Sequence, residues 1–341
     1  MILVTGGTGL VGSHLLYKLS ESGAKLRATY RKAYKLDRVK QVFSYFSSDA
    51  DRLFNQIEWI EADINDIPEL EKAFSGLTHV YHCAAFVSFE PDKYKQLRKI
   101  NIEGTANIVN QCLRHKIKKL CYVSSIAAIG HHNDSEKLIT EETAWNPEED
   151  NSVYAITKYG AELEVWRGTQ EGVDAVVVNP GIILGGGHWD SGSSGSLFKK
   201  IYKGMSYYVP GVTGYVDVWD VVNAMTTLME SPVKNEGYIL VSENLSFKDF
   251  QTKVAQRLHV KPPQKEAKPW LLKLAWRLDW LNHKLFGKRR SLSKQSAKSA
   301  LSVTKYSNQK LQNDLNFTFK PIDQSIREVS DLFLKDFKKN T

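Results

Sequence analysis

Apolar positions in the first 180 residues alternate between two textures. Short apolar or β-branched runs at Ile2–Val4, Ala24–Tyr30, Ile57–Glu61 with Ala62–Ile64, Thr78–Ala84, Leu120–Ser124 and Asp174–Asn179 read as strands, several of them apolar enough to be buried on both faces. Between them, Ser13–Ser20 (Leu15, Leu16 and Leu19 on one face), Leu70–Phe74, Tyr94–His115 and Val153–Thr169 carry apolar residues at helical spacing, and residues 36–54 read as a helical insertion. Strands alternating with helices predict an α/β fold with a doubly wound parallel sheet. From about residue 185 the pattern changes to Gly/Ser-rich loops and short strands. A further amphipathic stretch, Pro269–Phe286, repeats Leu271, Leu274, Leu278, Leu281 and Leu285 at helical spacing.

The 341 residues are enough for a full α/β core and a smaller second lobe, and 42% apolar with 25% charged residues is the balance of an ordinary globular protein. No run has the length of a transmembrane helix, and a strand starting at residue 2 leaves no room for a signal peptide. Cys83, Cys112 and Cys121 form no metal-ligand spacing and leave an odd count, which fits a reducing, cytoplasmic setting. The net charge of +8 is unevenly placed: residues 261–310 hold thirteen Lys/Arg against two acidic residues, so the rest of the chain is slightly acidic. One segment is basic, not the whole protein, and no nucleic-acid reading motif accompanies it.

The most informative stretch is the first turn. Strand Ile2–Val4 runs into Thr5-Gly-Gly-Thr-Gly-Leu-Val-Gly12, with glycines at 6, 7, 9 and 12, and then into a helix. Such a turn brings backbone N–H groups at a helix N-terminus against an anion, which points to a dinucleotide site formed by Gly6, Thr8, Gly9, Leu10, Val11 and Gly12. An acid at the end of the second strand would read a ribose hydroxyl, and a base would read a 2′-phosphate. Here the strand ends Tyr30-Arg31-Lys32, with no acid before Asp37, so Arg31 favours NADP, with NAD as the alternative.

Tyr154-Ala-Ile-Thr-Lys158 sets a phenol and an ammonium four residues apart on one helix face. A neighbouring cation lowers a tyrosine pKa from near 10, tuning Tyr154 for proton transfer, and Lys158 is also placed to bond a nicotinamide ribose. Upstream, Cys121-Tyr-Val-Ser-Ser125 is a strand ending in hydroxyls, and downstream Asn179-Pro-Gly181 makes a tight turn.

Glycine turn, hydroxyl-ended strand, Tyr-x-x-x-Lys and Pro-Gly turn, in this order, resemble the extended short-chain dehydrogenase/reductases of the NAD-dependent epimerase/dehydratase superfamily, from residue 1 to about 240. The resemblance implies a Rossmann-type domain over 1–180 with a returning segment near 213–241. It leaves 181–212 and 242–341 as a smaller, C-terminal substrate lobe. It also implies Ser125 as the serine that binds a substrate carbonyl (Ser124 as fallback) and Asn101 as a residue steadying the site. Asp63 and Ile64 would border the adenine, Ala84 and Ala85 the pyrophosphate–nicotinamide path, and Pro180 and Ile182 the turn over the nicotinamide. Asp63 equally reads as a cap for the helix that follows it. A homodimer through the Tyr94–His115 and Val153–Thr169 helices is usual for the family.

Within that family two absences narrow the chemistry. Ile126 and Ala127 stand where 4,6-dehydratases carry Asp-Glu. Thr213 stands where sugar-nucleotide epimerases carry an arginine before a Tyr-x-x-Val-x-Asp-like run, here Tyr215-Val-Asp-Val. What remains resembles the dihydroflavonol reductase, aldehyde reductase and 3β-hydroxysteroid dehydrogenase branch, implying reduction of a small, fairly apolar aldehyde or ketone by NADPH. Phe86, Trp189, Tyr207 and Tyr208 are candidate pocket walls. Two alternatives stay open: a sugar-nucleotide epimerase, and a non-catalytic NADP sensor or membrane-associated scaffold. For the basic helix near 269–290, three readings stand: a buried stripe within the substrate lobe, an in-plane membrane helix, and a partner surface.

Overall fold

A computed structural model describes residues 1–132, 134, 136–190, 194–286 and 293–338. Its centre is a seven-stranded, all-parallel sheet. The strands are β1 (Ile2–Thr5), β2 (Leu26–Tyr30), β3 (Glu58–Glu61), β4 (His79–His82), β5 (Lys119–Val123) and β6 (Ala175–Pro180). After β7 (Ile182–Leu184), β8 (Tyr207–Tyr208) and β9 (Val212–Asp217) comes β10 (Glu236–Leu240), the seventh strand of this sheet. The spatial order is β10-β6-β5-β4-β1-β2-β3. The order reverses between β1 and β4, and a crevice forms outside the strand C-termini at such a switch point.

Alternation along the strands builds a core on each face. Val176 and Val178 point to the side of helices Leu10–Glu21 and Val218–Glu230, whereas Ala175 and Val177 point to the side of Gly104–Arg114 and Val153–Gln170. The chain turns back after β9 through Val218–Glu230 and re-enters the main sheet as β10. A second sheet, β11 (Glu243–Ser246), β9 and β7, leads to a separate apolar cluster around Phe198, Phe250, Ile326 and Phe333.

Three local expectations are corrected. β3 stops at Glu61, because Asp63 turns the chain: its carboxylate accepts from Asn65 N at 2.9 Å, and Asp66, not Asp63, caps helix Ile67–Phe74 by accepting from Glu69 N. The long helix from Tyr94 is not uniform; Arg98–Glu103 forms a π-helical turn with Asn101 inside it. Helix Pro269–Phe286 forms, but its leucine stripe is not buried in the lobe; only Leu272 and its neighbours pack inward. Lys288, Arg289 and Arg290 of the basic segment lie outside the described residues. No described helix is long and apolar enough to cross a membrane.

Candidate functional site

The crevice at the switch point is a cavity of about 1040 Å³ running from the glycine turn to the second lobe. At its first end, Gly6 adopts φ +70° and a Cβ there would lie 2.6 Å from Ala84 N. A Cβ on Gly12 would meet Gly6 O at 2.3 Å, so the helix can start this close to the strand only with glycine. The helix N-cap is Gly9, with no side chain bonded to the first N–H groups and no acid in the first turn. An anion can therefore take the open N-terminus. Thr8, Gly9, Leu10, Val11 and Gly12 line the cavity; Gly6 and Ala84 lie behind, pressed together.

Arg31 lines the cavity together with two cations the sequence reading passed over, Lys35 and Arg38. Burial lowers the Lys35 pKa, and repulsion from Arg31, Arg38 and Lys32 lowers it further. Three cations so close await an anion. Asp63, the one acid ion-paired here, stands 3.7 Å from Arg31 with both groups half exposed, too weak to neutralise the cluster. Ile64 is buried against Gly104 and does not reach the cavity wall. An open helix end for a pyrophosphate and a cation cluster one strand away fit a nicotinamide dinucleotide.

At the middle of the cavity, Ser125, Tyr154, Lys158, Ala85, Pro180 and Ile182 come together. Tyr154 sits in the first turn of helix Val153–Gln170, which Ser152 caps by accepting from Ala155 N. Burial pushes the phenol up to about 12, and the hydrogen bond from Ser125 pulls the other way. Lys158 does not supply that pull, contrary to expectation. Its Nζ donates to Tyr122 Oη at 2.6 Å and to Val123 O at 2.9 Å, and burial brings its own pKa down to about 7. Beneath it His82 stacks on Tyr122, and its ring nitrogens pair with Thr5 and Thr105 at 2.7 and 3.0 Å.

Of the two serines, only Ser125 addresses Tyr154; Ser124 donates to Glu162 Oε2 at 2.6 Å. Glu162, missed in the sequence, also accepts from Asn179 Nδ2 at 2.9 Å, while Asn179 donates to Ser125 O and so fixes its backbone. It lies one turn beyond Lys158 on the same ridge, a spacing that could have revealed it. Asn101 does not line the cavity. Its amide is bonded to both backbone groups of Phe86 at 2.8 and 3.0 Å and donates to Thr157 at 3.2 Å, tying the wall loop to the Tyr154 helix. The π-helical turn is what swings Asn101 into that position.

The far end is lined by Phe86, Val87, Phe89, Ile139, Val212 and Val303, and the Phe89 and Tyr154 rings lie 5.3 Å apart. Tyr207, Tyr208 and Trp189 are not walls: Trp189 belongs to the second lobe's core and donates to Asp336 at 2.7 Å. The Tyr215–Asp217 run is architectural, since Asp217 caps Val218–Glu230 and pairs with Lys320 at 3.3 Å. Among the described residues no cluster of three or more His, Cys, Asp or Glu could hold a metal. The three cysteines are free, and burial raises the pKa of each thiol.

Comparison with known proteins agrees with this geometry. A "Putative dihydroflavonol 4-reductase" from Synechocystis is 28% identical over 282 residues, 80% of this chain and 77% of its own length. "Tetraketide alpha-pyrone reductase 2" from Arabidopsis thaliana is 30% identical over 256 residues, 72% and 78% of the two chains. The crystal structure of gox2253 superposes with a TM-score of 0.81 at 26% identity, covering 98% of each chain. The family model for the NAD dependent epimerase/dehydratase family matches residues 2–241. The chain is a member of that family, the extended short-chain dehydrogenase/reductases, a superfamily of nicotinamide-dependent oxidoreductases, epimerases and dehydratases.

Proposed function

We propose that the protein is an NADP(H)-dependent reductase of a small, fairly apolar aldehyde or ketone. The observation that carries this reading is the Tyr154 phenol: it is kept protonated by burial, bonded to Ser125, and set against an apolar wall. Burial keeps this phenol protonated at neutral pH, so it holds a proton that it can give to a carbonyl oxygen. Ser125 and Tyr154 both address a substrate carbonyl oxygen, Ser125 orienting it and Tyr154 giving it a proton as negative charge grows there. A bound nicotinamide supplies the hydride that the carbonyl carbon receives. Lys158 holds the ribose side of the site, and Asn101 and Asn179 are positioning residues acting through Phe86 and Ser125. Arg31, Lys35 and Arg38 bind a 2′-phosphate, and the N-terminus of Leu10–Glu21 binds the pyrophosphate. We also read the protein as a homodimer, with Tyr94, Ile156 and Leu163 exposed on the two helices that such a dimer would use.

A sugar-nucleotide epimerase is the second reading, favoured by Lys137, Lys298 and Lys305 in the outer cavity wall. Against it, Lys298 is paired with Asp150 at 3.4 Å and Lys305 with Glu136 at 3.1 Å, and Thr213 offers no charge to a diphosphate.

Cofactor choice tests the first reading. Arg31→Ser removes a charge-assisted contact, so KM for NADPH is expected to rise roughly 10- to 100-fold while that for NADH stays within about 2-fold. Equal loss with both cofactors in steady-state kinetics would refute 2′-phosphate recognition at this position.

A further inference from the structure

Helix Pro269–Phe286 has two faces with different fates. Leu272 and Trp276 pack inward against Val209, Ala267, Ala297 and Leu301. On the other side Trp270, Leu274, Leu278, Leu281 and Leu285 are 64, 45, 51, 42 and 64% exposed. At helical pitch these five fall within about 80° of arc, a continuous apolar stripe along all 18 residues. Lys273, Arg277 and Lys284 form a row along one edge of it, exposed like the stripe. Trp280, 44% exposed, flanks that row, with Lys284 Nζ 5.2 Å from its ring centre. The helix's single acid, Asp279, lies on the opposite, inward side.

We propose that this helix docks in the plane of an anionic lipid bilayer, with the leucine–tryptophan stripe among the acyl chains and Lys273, Arg277 and Lys284 against the headgroups. Charge decides the occupant. A second copy packed antiparallel on this stripe would bring Lys273 of one helix towards Lys284 of the other, like charge to like, whereas anionic headgroups neutralise the row. Lysine and arginine stems lying beside an apolar face with their heads outward suit an interface, as do tryptophans at its margin. The helix lies flat because it is too charged to span.

The docking face is also joined to the cavity. Ala297 and Leu301, on which the helix rests, belong to the segment whose Gln295, Ser299, Ser302 and Val303 line the cavity wall. Docking would therefore leave the helix as the layer between that wall and the bilayer. The docking does not rest on the proposed function.

Co-sedimentation of the full chain with phosphatidylcholine vesicles, with and without 30 mol% phosphatidylglycerol (chosen as roughly the anionic content of a charged leaflet), reads the docking directly. Binding is expected with the anionic vesicles, falling severalfold in about 0.5 M NaCl, where the Debye length is only a few ångströms. Leu274→Ser with Leu278→Ser, and separately Lys273→Glu with Arg277→Glu, should each weaken binding about 10-fold or more. All four positions are exposed, so melting temperature and cofactor binding should be unchanged and serve as folding controls. No binding to anionic vesicles overturns the proposal. So does binding that both double variants retain, or a light-scattering mass that halves in Leu274→Ser/Leu278→Ser without vesicle binding, which would make the stripe a contact between copies. Loss of carbonyl reduction with vesicle binding intact would count against the proposed function alone.

Discussion

Tyr154→Phe is expected to lower kcat by about 10²- to 10⁴-fold, the usual contribution of a positioned acid, while the dissociation constant for NADPH changes by less than about 2-fold. The ring keeps its place against Phe89, so packing is preserved. The lost hydroxyl is buried and bonded to Ser125, so its removal leaves Ser125 with its other contact, accepting from Ala127 N at 3.2 Å. Melting temperature should therefore stay close to that of the wild type. Steady-state turnover alongside cofactor titration by fluorescence separates the two effects. A non-catalytic sensor would show neither; a variant retaining more than about a tenth of the activity would remove Tyr154 from the proton-donor role assigned to it. Ser125→Ala should fall in the same direction, and the double variant should cost less than the two losses combined, because the hydroxyls act as one unit.

Acid is expected to unfold the protein by protonating buried histidines, at a pH at or above the ordinary carboxylate range. His14, His82 and His188 are buried, and burial holds their pKa values at about 4, 3 and 3. Repulsion from His14, Arg38 and Lys35 adds to the shift at His188, and Lys158 adds to that at His82. In the unfolded chain each returns to about 6.5. Below that pH the unfolded state binds more protons than the folded one, so stability falls as pH falls. By pH 4 each histidine costs on the order of 3 kcal/mol, and three of them rival the 5–15 kcal/mol that typically holds a domain together, to within about a factor of two. Asp220, which burial raises to about 6, works the opposite way but offsets only one of the three. The transition, followed by circular dichroism, should lie between roughly pH 4 and 5.5. His82→Gln keeps hydrogen-bonding capacity towards Thr5 and Thr105 without a titrating group, so it should move the midpoint to lower pH. Stability that stays flat from pH 6.5 to 4 would show that these rings are not held neutral as described.

The parts of this molecule that were legible in the sequence are those set by the backbone. The alternating sheet, the glycine turn at its switch point, and the meeting of Ser125, Tyr154 and Lys158 all follow from strand order and from residues whose type the geometry demands. Side-chain direction was less legible. Spacing put Lys158 on the face of Tyr154, but its long stem runs to Tyr122 and Val123, partners 35 residues or more away in sequence, and the tuning falls to Ser125 instead. The resemblance implies that Asn101 steadies the site, but not that it does so from a π-helical turn by bonding Phe86 and Thr157; no propensity marks such a turn. Lys35 and Arg38 line the same cavity as Arg31 because the turn Ala33–Lys35 and the helix from Leu36 follow β2 directly, which sets the three cations four and three residues apart. The leucines of Pro269–Phe286 show the limit of periodicity most plainly: it locates a stripe but says nothing about what covers it.

NADPH is followed by its absorbance while the protein is offered apolar aldehydes and ketones beside sugar nucleotides. Reduction at the Ser125–Tyr154 site predicts stoichiometric loss of NADPH and appearance of the corresponding alcohol with one or more of the carbonyl compounds, abolished in Tyr154→Phe. Interconversion of a sugar nucleotide with no net consumption of cofactor, and no turnover of any free carbonyl, would contradict it and make the protein an epimerase.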